Sequence, residues 1–169
     1  LPLLHWDRQE TVTPVSDDWS IYFDPAMGGP GEVKFDSLSD WALHPDPSIK
    51  YYSGTALYRK TLNLQKTEKD EKALLRFSEL GSVARVIING QDMGIVWCSP
   101  WEIDVTNAIH DGENELEIHV ANSLMNRMIL DSQLPVEKRI TYSYPEIASP
   151  KDALIPSGII KGVDIIYKK

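Results

Sequence analysis

Aromatic side chains are the groups of this sequence whose type and spacing suit the binding of a ligand. Those that fall at predicted strand ends or in loops are Trp41, Tyr51, Tyr52, Trp97 and Trp101. An aromatic ring packs on the apolar face of a pyranose, and planar polar groups beside the ring bind the sugar hydroxyls. We therefore predict a carbohydrate-binding surface centred on residues 97–101. The alternative is that Trp97 or Trp101 caps the fold or packs on a neighbouring domain.

Planar polar side chains for such a surface follow in the segment 123–158. The candidates are Asn126, Arg127, Asp131 and Arg139. Amide, carboxylate and guanidinium groups together donate and accept hydrogen bonds, as sugar hydroxyls require. The segment is rich in proline and shows no long periodic pattern, apart from a short helix predicted near residues 125–130. Loops of this length are often functional, so we predict that it adds hydrogen bonds to the same ligand.

Glycosidic bond cleavage would require two carboxylates roughly 5–10 Å apart. The candidates by residue type are Glu79, Glu102, Asp104, Asp131 and Glu146. No motif places two of them together. We therefore predict no catalytic residue within this chain.

Other reaction types and metal sites find little support. The sequence contains no Gly-x-Ser-x-Gly segment, and its 4 histidines lack zinc-ligand spacing with one another or with Cys98. We predict no metal ligand and no cofactor, and we interpret Cys98 as a small buried filler between aromatic residues. Structural calcium is the one open alternative, since Asp24, Asp36 or Asp40 could supply oxygens to it, unless they are solvated loop carboxylates.

The composition narrows the classes of partner. The chain of 169 residues has 17 Lys+Arg against 25 Asp+Glu and a net charge of −8. An acidic chain without a basic run disfavours nucleic acid and anionic membranes as partners. No stretch approaches the about 20 apolar residues of a membrane span. Because the first residues also lack the basic start of a signal peptide, we expect a piece of a longer protein or a mature product.

Strand patterns dominate the elements that must position these side chains. Apolar and polar residues alternate over residues 73–78, 84–88 and 115–120, and Asn89-Gly90 is a strong hairpin pattern. Further strands are predicted near Trp19 and over residues 159–167. Many strands with almost no helix predict an all-β fold, an antiparallel two-sheet β-sandwich of the jelly-roll type. Trp19 and Tyr58 are predicted to lie in its core.

The domain boundaries follow from the same pattern. Residues 1–18 are predicted to be a linker or an edge segment. Residues 19–169 are predicted to form a single sandwich in which 123–158 is a long loop.

Ordered short motifs link the chain to a known family. Tyr52 to Lys60, Ala84 to Gly90, Asp104 to Thr106 and Gly112 to Ile118 resemble, in that order, the galactose-binding-like domains of glycoside hydrolases, particularly those of family 2 enzymes such as β-galactosidases and β-glucuronidases. The carboxyl-terminal part of the chain, including residues 154–163, resembles the C-terminal end of bacterial α-L-rhamnosidase-like hydrolases of family 106, which are common in Bacteroidetes.

The resemblance carries its own expectations about function. It implies a non-catalytic accessory domain of a larger glycoside hydrolase, which binds carbohydrate or supports the catalytic domain of the same chain. In such enzymes the catalytic pair lies on a separate barrel domain. A purely structural interdomain-packing module without a ligand is the alternative. A role in polysaccharide degradation, in the periplasm or outside the bacterial cell, is implied as well.

Overall fold

A computed structural model describes residues 10–15, 17–65, 72–143 and 147–168 of the protein. The strands of this part of the chain are β1 (Glu10–Pro14), β2 (Asp17–Phe23), β3 (Gly31–Ser37), β4 (Thr55–Leu64), β5 (Lys72–Phe77), β6 (Val83–Ile88), β7 (Gln91–Val96), β8 (Glu102–Asp104), β9 (Gly112–Ala121) and β10 (Val163–Lys168). The helices are α1 (Pro47–Lys50) and α2 (Met125–Asp131), with 3-10 turns at Pro25–Met27, Trp41–Leu43 and Val136–Lys138. None of these helices is long and apolar enough to span a membrane.

The strands form two antiparallel sheets. One sheet has four strands in the order β1-β10-β5-β8, and the other has six in the order β3-β2-β4-β9-β6-β7. The longest pairing joins β4 and β9, from Thr55 opposite Ala121 to Leu64 opposite Gly112. The prediction of an all-β, two-sheet sandwich is confirmed, and Glu10–Pro14 is an edge strand of the smaller sheet.

Alternation along each strand builds the core between the sheets. On β9, Leu116, Ile118 and Val120 are buried, whereas the intervening side chains face outward. Between β6 and β7, Asn89 and Gly90 both adopt positive φ, at 52° and 76°, which the tight hairpin turn requires. The side-chain oxygen of Asn89 also accepts a hydrogen bond from the backbone N–H of Glu115 at 2.9 Å, so the turn is tied to β9.

Aromatic residues fill one end of the core. Trp19 and Tyr58 meet edge to face with ring centroids 5.9 Å apart, and Trp41 lies nearly parallel to Tyr58 at 6.3 Å. Phe23 and Tyr52 complete the cluster. Trp19 and Tyr58 are core residues, as predicted.

The segment of residues 123–158 is called the tail below, and its described end at Ser157 and Gly158 contacts this aromatic end of the sandwich. The tail is fastened where Ser157 donates its backbone N–H to Asp40 Oδ1 at 2.9 Å and accepts the backbone N–H of Trp41 at 3.0 Å. Gly158 follows with φ of 85°, and a Cβ there would lie 2.4 Å from Trp41 Nε1. Only glycine lets the tail approach the indole this closely.

Candidate functional site

The loop at residues 97–101 connects β7 to β8 and carries the most exposed tryptophan of the described residues. Trp97 is 72% exposed. Trp101 is partly buried against the core, and its carbonyl accepts the backbone N–H of Phe77 at 2.9 Å. Trp97 therefore presents a ring to solvent, while Trp101 belongs in part to the sandwich. Cys98 is exposed, so its interpretation as a buried filler is wrong.

Two predicted platform residues, Trp41 and Tyr52, lie in the core. Trp41 is 0% exposed and donates its indole N–H to Tyr58 Oη at 2.8 Å. Tyr52 is 1% exposed; its hydroxyl accepts the N–H of Asp24 at 3.1 Å and donates to the carbonyl of Thr55 at 3.0 Å. Burial raises the pKa of Tyr52. The prediction that these two rings stack on a sugar is wrong, because neither has an accessible face.

Tyr51 remains partly exposed at the end of α1. The ammonium group of Lys50 lies 5.8 Å from the centre of its ring. The cation already occupies one face of this ring. A ligand could therefore use only the other face.

Asn126, on α2, is buried and holds the two ends of the tail together. Its side-chain amide donates to the carbonyl of Ile155 at 2.8 Å and accepts the N–H of Ile155 at 2.8 Å. The same amide donates to Ser157 Oγ at 3.3 Å. These contacts use its hydrogen-bonding groups internally, so the predicted ligand contact from Asn126 does not fit its surroundings.

Arg127 and Asp131, one turn apart on α2, form a buried ion pair. Arg127 Nη2 lies 2.8 Å from Asp131 Oδ1, and the two side chains are 10% and 3% exposed. Asp131 Oδ2 accepts the N–H groups of Ile140 and Thr141 at 3.0 and 2.6 Å and the hydroxyl of Thr141 at 2.7 Å. Burial alone would raise the pKa of Asp131, but the bonds from Thr141 and Arg127 outweigh it and lower the pKa. The pair therefore folds the tail back on itself rather than facing a ligand, contrary to the prediction.

The candidate catalytic carboxylates within the described residues have structural partners. Glu79 lies 2.6 Å from Lys161 Nζ, and Glu102 lies 2.5 Å from Arg76 Nε. Asp104 accepts the hydroxyl and the N–H of Thr106, which lowers its pKa. A general acid at neutral pH needs a raised pKa instead. Glu146 lies outside the described residues.

The loop carboxylates considered for calcium take up local roles. Asp24 and Asp40 each begin a 3-10 turn by accepting a backbone N–H, from Ala26 and Ala42, at 2.9 Å. Asp36 is an exposed residue of β3. Across the described ranges, no three His, Cys, Asp or Glu side chains gather closely enough to hold a metal ion.

An open groove that the sequence did not indicate crosses the outer face of the six-stranded sheet. Its volume is about 620 Å³, and β2, β3, β4 and β9 line it, within the usual range of about 300–1,000 Å³ for ligand sites. Its polar side chains include Lys34, Asp36, Arg59, Glu115 and Glu117. Each lies on the outward-facing side of its strand, but the sequence indicated alternation only around Glu115 and Glu117. The sequence did not indicate which of these strands lie side by side.

The family can now be assigned. Residues 30–154 match the model of the glycosyl hydrolase 2 galactose-binding domain-like family. This match spans most of the sandwich described above. The chain belongs to this family. The predicted resemblance to galactose-binding-like domains is thereby confirmed.

Relatives of this galactose-binding-like domain are larger proteins. The chain is 36% identical over 139 residues to a Formosa agariphila protein provisionally named a β-glucuronidase, covering 81% of this chain and 12% of that protein. It is 28% identical to the rhamnosidase of Novosphingobium sp. PP1Y, with a TM-score of 0.88 over 99% of this chain and 16% of that one. A β-glucuronidase of Ruminococcus gnavus shares the fold at 18% identity, with a TM-score of 0.69 over 99% of this chain and 30% of its own.

Proposed function

We propose that the chain is a non-catalytic accessory domain of a larger glycoside hydrolase, acting in the periplasm or at the surface of a bacterial cell. The observation that carries this proposal concerns the candidate catalytic carboxylates within the described residues: Glu79, Glu102, Asp104 and Asp131 are all engaged by neighbouring side chains. The rhamnosidase relative supports it, because this chain corresponds to 16% of that chain. The remainder of such a protein has room for a separate catalytic domain.

Turnover of chromogenic substrates tests the non-catalytic role. The chain of 169 residues is incubated with p-nitrophenyl α-L-rhamnoside and p-nitrophenyl β-D-glucuronide, chosen from the named activities of its relatives. We expect no release of p-nitrophenol above the buffer rate. Turnover that disappears on changing a single carboxylate, such as Glu102→Gln, would overturn the proposal.

We propose that the function of the domain is to bind carbohydrate. The exposed Trp97 ring offers an apolar platform, and the sheet groove offers charged donors and acceptors. Isothermal titration of the chain with a panel of neutral and acidic oligosaccharides tests it. A dissociation constant in the micromolar to millimolar range is expected for at least one member. Absence of heat, together with absence of NMR shifts, for every member would remove the binding claim.

Packing against another domain is the second candidate function, and the exposed apolar side chains of the tail favour it. Large apolar side chains that are exposed there are Leu124, Val136, Ile140, Tyr142, Ile147 and Ile155. Exposed apolar side chains concentrated in one segment are typical of an interaction surface. Leu1, Leu3, Leu4 and Trp6, which the sequence also suggests as members of an apolar patch, lie outside the described residues.

Changing the tail in the intact parent enzyme tests this second candidate. Val136→Ser with Tyr142→Ser should lower the thermal stability of the intact enzyme while leaving that of the isolated domain unchanged. The control pair is Val12→Ser with Tyr22→Ser, which are exposed positions on strands. Equal behaviour of the two pairs would argue against a packing role for the tail.

A further inference from the structure

The outer groove of the six-stranded sheet has a volume of about 620 Å³, and several of its polar side chains have no partner among the described residues. It lies away from the tail and from the loop at residues 97–101, since neither contributes to its lining. Its walls come from strands rather than loops, so its shape is set by the sheet. A site on strands is held more rigidly than one on loops.

Strand register places one polar row directly across the groove. Lys34 of β3 is opposite Ser20 of β2, which is opposite Arg59 of β4, which is opposite Glu117 of β9. With neighbouring strands about 4.8 Å apart, the row extends roughly 14 Å. A second pair, Thr61 opposite Glu115, continues the polar surface along the strands. The groove is therefore long enough for several linked sugar residues.

Charged groups of both signs line the groove. Lys34 and Arg59 provide cations, and the carboxylates are those of Asp18, Asp36, Glu115 and Glu117. Lys60 also contributes to the lining, but its ammonium group donates to the carbonyl of Asp17 and lies over the ring of Trp19. A strongly charged ligand of either sign would meet repulsion as well as attraction. A neutral polyol, whose hydroxyls both donate and accept, matches both kinds of group.

Some of the lining groups are oriented by partners while others are left for a ligand. Arg59 Nε lies 3.2 Å from Glu117 Oε2, and Ser20 donates to Glu32 at 2.5 Å. Within the described part of the chain, the side chains of Lys34 and Glu115 have no hydrogen bond or ion pair. Their full hydrogen-bonding capacity is therefore available at the groove surface.

From this geometry we propose that the groove binds a neutral oligosaccharide laid across β3, β2, β4 and β9. Hydroxyl groups would be bound by Lys34 and Glu115, with the Arg59–Glu117 pair between them. This assignment rests on the proposed carbohydrate-binding function and places its site on the sheet rather than in the loop of Trp97. It also names a neutral ligand class rather than an acidic one.

The test compares groove variants with matched variants outside it. Cellotetraose, xylotetraose, mannotetraose and tetragalacturonate are titrated into the 169-residue chain. Lys34→Ala with Glu115→Ala removes unpartnered groove groups. The control, Lys151→Ala with Glu113→Ala, removes the same charges from exposed positions outside the groove. Melting temperatures equal to that of the unmodified chain for both double variants establish that folding is unaffected.

The expected result is binding of at least one neutral tetraose. Its affinity should fall roughly tenfold or more in the groove variant, as loss of hydrogen bonds to charged groups implies, and should stay within about twofold in the control. Preference for tetragalacturonate, or wild-type affinity of the groove variant, would overturn the groove assignment.

The outcomes also separate the groove from the proposed function. Loss of binding in Trp97→Ala with intact binding in the groove variant would place the site in the loop, so the groove assignment fails while carbohydrate binding stands. Absence of binding to every oligosaccharide would overturn both. Amide shifts of β3, β4 and β9 on titration would support the groove directly.

Discussion

The central strands and the tail are held in place by different kinds of interaction. In β6 and β9, every second side chain is buried, and backbone pairing joins the two strands. In the tail, a few polar side chains make the decisive contacts, as Asn126 does with Ile155 and Asp131 with Thr141. Loss of a buried apolar side chain leaves a cavity in the core, whereas loss of one tail contact leaves a buried polar group without its partner. The conformation of the sheet thus depends on many similar apolar contacts, and that of the tail depends on a few individual polar residues.

The first way to sharpen this comparison is to open a cavity in the sheet. Ile118 of β9 is fully buried, so Ile118→Ala should lower the free energy of unfolding by about 4 kcal/mol, the sum of lost transfer energy and an unfilled cavity. Chemical denaturation measures the change. Glu113→Ala, on an exposed position of the same strand, is the control and should shift stability by less than about 0.5 kcal/mol. Similar losses in both variants would contradict a core set by alternation.

The second largest effect is expected in the tail. Asp131→Ala leaves the Arg127 guanidinium buried without its counter-charge, which should destabilise the fold by about 3 kcal/mol. Hydrogen exchange should show the loss first at Ile140 and Thr141, whose N–H groups Asp131 accepts.

A rescue variant separates the charge effect from lost packing. Arg127→Met combined with Asp131→Ala removes the uncompensated charge, and the Nε of Arg127 already lacks a hydrogen-bond partner among the described residues. We expect the double variant to be more stable than Asp131→Ala by about 1 kcal/mol or more. A double variant less stable than Asp131→Ala would mean that lost packing, rather than the uncompensated charge, accounts for the destabilisation.

The strand region was largely predictable from the sequence because its pattern is local. Alternation over residues 115–120 and the Asn89-Gly90 pair each indicate a structure within a few residues. The short helix near residues 125–130 also forms, as α2.

The site was less predictable, because burial depends on contacts between residues far apart in sequence. The sequence pattern predicts that Trp41 lies in a loop, yet Tyr58 and Gly158 enclose its indole. The sequence likewise gives no sign that Asn126 is buried, because its partner Ile155 is distant in sequence. The groove requires the pairing of β2 with both β3 and β4, which the sequence pattern does not specify.

Acid should loosen the tail before it unfolds the sheet. The folded pKa of Asp131 is lowered, below the about 3.9 of an unfolded aspartate. The stability that this residue contributes is therefore present above about pH 4 and lost as the pH falls through the lower folded value. Hydrogen exchange of the tail and sheet amides between about pH 5 and pH 2 measures it. Simultaneous loss of protection in both regions would argue that the tail is not a separate unit.

The smallest effect on stability is expected at Trp97, whose ring is neither buried in the core nor part of the polar network of the tail. Its ring is 72% exposed, so Trp97→Ala should change the free energy of unfolding by less than about 0.5 kcal/mol. Trp101, four residues on, packs partly against the core, and Trp101→Ala should lose about 2 kcal/mol, less than a fully buried tryptophan. Thermal unfolding of the two variants measures the difference. Equal losses would mean that Trp97 stabilises the sandwich, and its exposed ring would then need no ligand or partner to explain it.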